Sequence, residues 1–154
     1  MRSVQQESVL SATPDAVWDR VSTFEGINDE LRPLMRMTAP ARVRALEPDD
    51  VVLGERVFRS WVLLFGVLPI DYDDLTLVAL EPGRGFHERS RMMSMRVWEH
   101  ERWLTAENGG CRVVDRLSFQ PRLPGMGPLL VRFIRLTFRH RHRRLRRHFG
   151  ETVA

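Results

Sequence analysis

The stretch WEHERWLTAENGGCRVVDRLSF, residues 98–119, decides the fold. Asn108-Gly109 separates two runs that alternate in polarity, and Asn-Gly favours a two-residue hairpin turn because both residues tolerate positive φ. Such a turn sets Trp98 opposite Phe119, His100 opposite Leu117, Arg102 opposite Asp115 and Leu104 opposite Val113. Strand faces alternate with period two, so Trp98, Leu104, Cys111, Val113, Leu117 and Phe119 share one apolar face, expected to point inward. His100, Arg102 and Asp115 fall on that face too. Buried charge is costly unless paired, so Arg102 and Asp115 are expected to meet as an ion pair.

The strand before this hairpin, Gly85 to Met93, has its inward parity set by Phe86 and Met92, which turns Glu88 inward as well. Glu88, His100, Arg102 and Asp115 are therefore expected as a polar cluster on an inner wall. Three roles suit it. The groups can satisfy one another and fix strand register, orient a polar part of a ligand, or supply an acid–base residue, with His100 or Glu88 as the candidates.

Working back towards the N-terminus, strands are expected at Tyr72–Leu80, Val51–Leu64 and Val43–Leu46, with turns at Glu81-Pro82-Gly83, Gly66–Pro69 and Glu47–Asp50. Val4 to Ala12 forms a first strand. Thr13-Pro14-Asp15 then starts a helix, with Thr13 as cap, Pro14 in the first turn and Asp15 at the positive end of the dipole. Gly26 is expected to break it, and a second short helix, Ile27 to Leu31, ends before Pro33. On the C-terminal side, Pro121 to Pro128 is a loop and Leu129 to Phe149 is helical by period, with Leu130, Ile134, Phe138, Leu145 and Phe149 as one stripe. Helices at the ends of a grouped run of strands give an α+β domain with a curved antiparallel sheet of about seven strands around a long C-terminal helix. One domain over residues 1–154 is expected.

All 24 basic residues are Arg, and their distribution is uneven. Residues 1–121 hold 15 Arg against 19 acids, whereas residues 122–154 hold 9 Arg against the single acid Glu151. The run Arg139 to His148 reads as the solvated back of the last helix, paired in part with the acidic body; the sharper alternative is a patch for anionic membrane lipid. Nucleic acid fits less well, since no aromatic residues are interleaved with these arginines. Asp71, Asp73 and Asp74 read as a solvated strand edge, because the Gly turn and distal Glu of a calcium loop are missing. No phosphate loop, nucleophile elbow or metal-ligand spacing is present, so no cofactor or metal is expected. The single cysteine, Cys111, reads as a small buried residue. No basic start precedes an apolar run and no run is long enough to span a membrane, which points to a cytoplasmic protein. It is expected as a monomer or homodimer.

The opening Ser11-Ala12-Thr13-Pro14-Asp15-Ala16-Val17-Trp18 resembles the start of the SRPBCC/START-like superfamily, which includes the birch-pollen allergen fold and the polyketide cyclase/dehydrase group. Gly85-Phe86-His87-Glu88, Trp98 to Arg102 and Asp115 to Phe119 are similar to a bacterial branch of it, although Met92-Met93-Ser94-Met95 replaces the Gly-Pro segment usual there. The resemblance implies a helix-grip fold with a cavity for a small hydrophobic ligand. The expected function is therefore a carrier or sensor. Trp61, Phe86, Met92, Trp98, Leu117, Phe119 and Phe133 are expected to supply apolar contact, and Glu88, His100, Arg102 and Asp115 polar contact. A cyclase or dehydratase-like enzyme using His100 or Glu88 is the alternative, and membrane or partner binding through the Arg-rich helix a third.

Overall fold

A computed structural model describes residues 1–151. β1 (Arg2–Leu10) is followed by α1 (Pro14–Val21), α2 (Phe24–Leu31) and the short β2 (Met35–Met37). Then come β3 (Arg56–Leu64), β4 (Leu68–Glu81), β5 (Gly85–Met92), β6 (Met95–Glu107), β7 (Gly110–Pro121) and α3 (Gly127–Phe149). The seven strands form one antiparallel sheet in the order β1-β7-β6-β5-β4-β3-β2. It curls into a half-barrel that holds α3, the α+β helix-grip architecture expected from the sequence.

The hairpin register is the one that Asn108-Gly109 predicts. Trp98 pairs with Phe119, His100 with Leu117 and Arg102 with Asp115. Asn108 and Gly109 both have positive φ, 50° and 78°. Thr13 caps α1 by accepting from the Ala16 amide at 3.2 Å. The other short elements differ from expectation. Thr23 caps α2 through the Gly26 amide at 3.0 Å, so Gly26 lies inside that helix and the break falls at Ser22-Thr23. Gly26 serves close approach, because a Cβ there would sit 2.0 Å from the Arg20 carbonyl oxygen. Val43 to Leu46 is not a strand. Val43 and Leu46 are buried by loop packing, and the edge strand is instead Met35–Met37, paired with Val62–Leu64.

The apolar interior has two main parts. Leu10, Val17, Val21, Leu77, Val113 and Leu145 pack under α1 and α2, and Val4, Leu117, Phe119, Ile134 and Phe138 pack between β1, β7 and α3. Cys111 is buried in the first, where burial pushes its thiol up to about 11.

Between these parts runs a buried ionic network. Asp115 accepts from Arg102 Nε at 2.8 Å and Nη2 at 2.7 Å, lies 2.8 Å from His100 Nε2 and 2.7 Å from His142 Nε2. Arg102 also donates to Glu30 of α2 at 2.9 Å, and Arg141 of α3 donates to the same carboxylate at 3.1 Å. Ser8 Oγ takes a hydrogen bond from Arg146 at 3.0 Å and meets His142 Nδ1 at 2.7 Å. An ionised carboxylate only accepts, so His142 Nε2–H donates to Asp115, while Ser8 Oγ, with two lone pairs and one proton, can accept from Arg146 and still meet Nδ1. Residues 139–148 keep the expected solvated back at Arg139, Arg143, Arg147 and His148, and Arg144 pairs with Asp29 of the body, but the expectation is corrected at two positions. Arg141 and His142 are buried, and they fill the gap in the apolar stripe between Phe138 and Leu145. A charged side chain can occupy an inward helix position when its partner is already there.

Burial alone would raise the Asp115 carboxyl, but the Arg102 charge and the hydrogen bonds from Arg102, His100 and His142 hold it well below the usual carboxylate range. Its stabilisation is therefore complete above the unfolded-state value and is lost as pH falls through the lower folded value. Asp115→Asn strands a buried guanidinium and is expected to lower stability by roughly 3–5 kcal/mol at neutral pH, measured by urea unfolding. The deficit relative to the native sequence should shrink in strong acid.

Candidate functional site

The sheet and α3 enclose a cavity of about 260 Å³. By the same kind of measure a single water needs only roughly 10–15 Å³, so the space suits a small organic molecule. Leu31, Met35 and Met37 line it from the α2–β2 side, Met92, Met95 and Trp98 from the sheet, and Leu130, Ile134 and Phe138 from α3. Exposed lining residues, Ile70 at the start of β4 and Phe133 on α3, mark where it meets solvent.

Polar groups gather at one part of this apolar wall. Parity along β4 explains two of them: Leu75 and Leu77 point inward, and two-residue steps back along the strand bring Asp73 and Asp71 to the same face. β4 is interior to the sheet, flanked by β3 and β5. The reading of Asp71 and Asp73 as a solvated edge is therefore corrected: both are buried and line the cavity, while Asp74 alone faces out, bonded to Arg59 at 2.8 Å. Asp71 is satisfied by the Tyr72 amide at 2.8 Å, by the Ser94 amide at 3.2 Å and by the Ser94 hydroxyl. Glu88 accepts from Ser90 at 2.7 Å. Its other oxygen lies 3.9 Å from His100 Nδ1.

Asp73 is the exception. It is only 2% exposed, and its Oδ1 has no hydrogen-bond partner. Burial, then the charge of Glu88 and a hydrogen bond with its carboxyl, push Asp73 well above the usual range, so it holds its proton to higher pH than an ordinary aspartate. Arginine does not relieve this. Among the described residues, the ion pairs of Arg102 and Arg141 go to Glu30 and Asp115, and no arginine pairs with Asp71, Asp73 or Glu88.

The residues expected from sequence divide into three groups. Glu88, Met92, Trp98, His100 and Phe133 line the cavity. Phe86 and Arg102 lie behind it, around a second space of about 40 Å³ towards α1 and α2. Asp115, Leu117 and Phe119 are wholly buried and line neither space. Trp61 corrects the expectation for β3: it sits on the opposite parity from buried Ser60 and Val62, is 40% exposed and packs edge-on against Tyr72 outside the wall. Asp71, Asp73, Ser94, Thr137 and Arg141 are polar wall residues that the sequence reading missed. For the two aspartates the signal was present, in the alternation that continues from Leu77 back through Leu75.

Among the described residues, no group of three or more His, Cys, Asp or Glu is disposed to hold a metal ion, and no helix is long and apolar enough to cross a membrane. What the wall can do is hold an apolar body and offer hydrogen-bond partners at one end. His100 also has the arrangement of an oriented imidazole, with Nε2 held by Asp115 and Nδ1 turned to the cavity side.

No curated protein sequence matches the chain. Solved structures match it closely in fold. Protein CV1439 from Chromobacterium violaceum superposes with a TM-score of 0.73 at 14% identity, covering 99% of this chain and 100% of that one. A START superfamily protein from Mycobacterium smegmatis gives 0.66 at 11% identity, covering 96% of both chains. Ara h 8.0201 gives 0.63 at 11% identity, covering 96% of this chain and 97% of that one. The family model for the domain of unknown function DUF8410 matches residues 8–149. The chain therefore belongs to the DUF8410 family and has the START-like, SRPBCC helix-grip fold.

Proposed function

We propose that this protein binds a small, mainly apolar molecule in the cavity between the sheet and α3, as a carrier or sensor. The observation that carries this reading is the cavity itself: apolar walls with a few convergent polar groups at one place, the usual composition of a small-ligand site. Phe86, Arg102, Asp115, Leu117 and Phe119 support the wall from behind. Trp61 has no part in it.

A specific observation favours a second reading, acid–base catalysis on the bound molecule. Asp115 fixes His100 through Nε2, which leaves Nδ1 to take or return a proton beside Glu88. If a turnover is found, His100→Gln should abolish it while leaving ligand affinity within about threefold, measured by comparing kcat with KM. Turnover that survives His100→Gln and Glu88→Gln together contradicts that mechanism.

The neutral fluorophore N-phenyl-1-naphthylamine is expected to bind the native protein with a blue-shifted, enhanced emission. Thr137→Phe, which places a ring in the cavity from α3, should weaken that binding by at least about tenfold with the circular dichroism spectrum retained. Equal binding by the two proteins would put the probe elsewhere and overturn the reading.

Asp73 should also show the stability cost of a group kept for binding. Its folded value is raised, so the unfolded chain ionises first; the penalty is absent in acid and grows as pH rises from the ordinary value towards the folded one. Asp73→Asn is expected to raise stability by roughly 1–2 kcal/mol at about pH 7 and to give no gain at about pH 4, by urea unfolding.

A further inference from the structure

We infer that the ligand of this cavity is an organic cation, a protonated amine on an apolar body, whose ammonium sits at Asp73 and Glu88. This rests on the cavity being a ligand site, and it names the chemistry of that ligand.

Three facts converge. First, Asp71, Asp73 and Glu88 gather on one wall with no arginine paired to them, in a chain with 24 arginines, while the neighbouring carboxylates Glu30 and Asp115 have Arg102 and Arg141 between them. Glu30, Asp115, Arg102 and Arg141 balance one another; among the described residues the cavity carboxyls have neutral donors, and the one basic group paired with them is His100, at 3.9 Å from Glu88. Second, Asp73 lines the cavity, and its buried Oδ1 is an acceptor with no donor among the described residues. Ammonium supplies a donor for Oδ1 and charge for the Asp73–Glu88 pair at once; a neutral hydroxyl supplies only the donor, and a carboxylate neither. Third, the rings of Trp98 and Phe133 share the lining, and aromatic faces attract cations.

The groups that line the cavity around Asp73 are Asp71 on its own strand, Glu88 of β5, His100 of β6 and Arg141 of α3, the last taken up by Glu30. Arg141 brings positive charge near this wall, but Glu30 and the face of Phe138 hold it. On binding, the ammonium keeps its protons and Asp73 gives its own to solvent, so uptake of one amine releases one proton. The chloride or other counter-anion stays outside.

The test uses three probes of similar shape: 2-phenylethylamine, 2-phenylethanol and 3-phenylpropanoate, with isothermal titration of the full chain. The amine is expected to bind at least about tenfold more tightly than the alcohol, with the propanoate weakest. Titration in buffers of different ionisation enthalpy should show proton release with the amine and none with the alcohol. Asp73→Asn with Glu88→Gln should bring the amine to within about threefold of the alcohol and leave the alcohol unchanged; Asp73→Asn alone, which is expected to be more stable, gives the same direction in a securely folded protein. An amine that binds no better than the alcohol, or an amine preference that survives both substitutions, overturns the inference. If N-phenyl-1-naphthylamine and the alcohol still bind in that case, the cavity remains a ligand site and only the cation assignment falls; if nothing binds, both fall.

Discussion

The carboxylate of Asp115 is fully buried and meets four nitrogen atoms, from Arg102, His100 and His142, and much of the molecule is arranged around that requirement. Because Arg102 is on β6, Asp115 on β7 and His142 on α3, the same set of bonds joins the centre of the sheet to the helix it grips. Arg102 extends the link to Glu30 on α2, and Arg141 closes it back to α3. A network of this kind is costly to desolvate and is worth little against a well-packed apolar core. What it does supply is position. Each side chain has a partner at a fixed place, so α2, α3 and the sheet share one relative geometry, and the cavity they bound has a defined shape.

The same network explains what is left at the wall. His100 spends Nε2 on Asp115, so its other nitrogen faces Glu88. The two buried arginines spend their charge on Glu30 and Asp115, so Asp73 is left beside Glu88 without a cation and its carboxyl is pushed well above the usual range. Structural carboxylates are held below their ordinary range and the wall aspartate above it, within one contiguous set of side chains. Such separation of environments is how a fold keeps a polar group available in an apolar space.

Much of this was readable in the sequence wherever alternation was strict. Asn108-Gly109 set the register of β6 and β7, and the register put His100, Arg102 and Asp115 on the inner face together. Phe86 and Met92 carried Glu88 to that face. The failures have specific physical causes. Asp71 and Asp73 followed the inward parity of Leu75 and Leu77, but three carboxylates in four residues looked solvated by composition. Arg141 and His142 took inward helix positions because Glu30 and Asp115, distant in sequence, were there to receive them. Trp61 is expected at the cavity wall as an apolar contact, although its parity, opposite to that of Val62 and Ser60, places it outside. Met35–Met37 is too short to show a period, and Val43 and Leu46 are buried without being in a strand.

Side-chain 13C NMR titration of the carboxyl groups tests this division most directly. Asp73 should remain protonated well above the ordinary carboxylate range, while Asp115 stays ionised well below it, in the same sample. If both instead titrate together at about 4, as isolated aspartates do, the network neither shields Asp115 nor leaves Asp73 at the cavity wall, and the account fails.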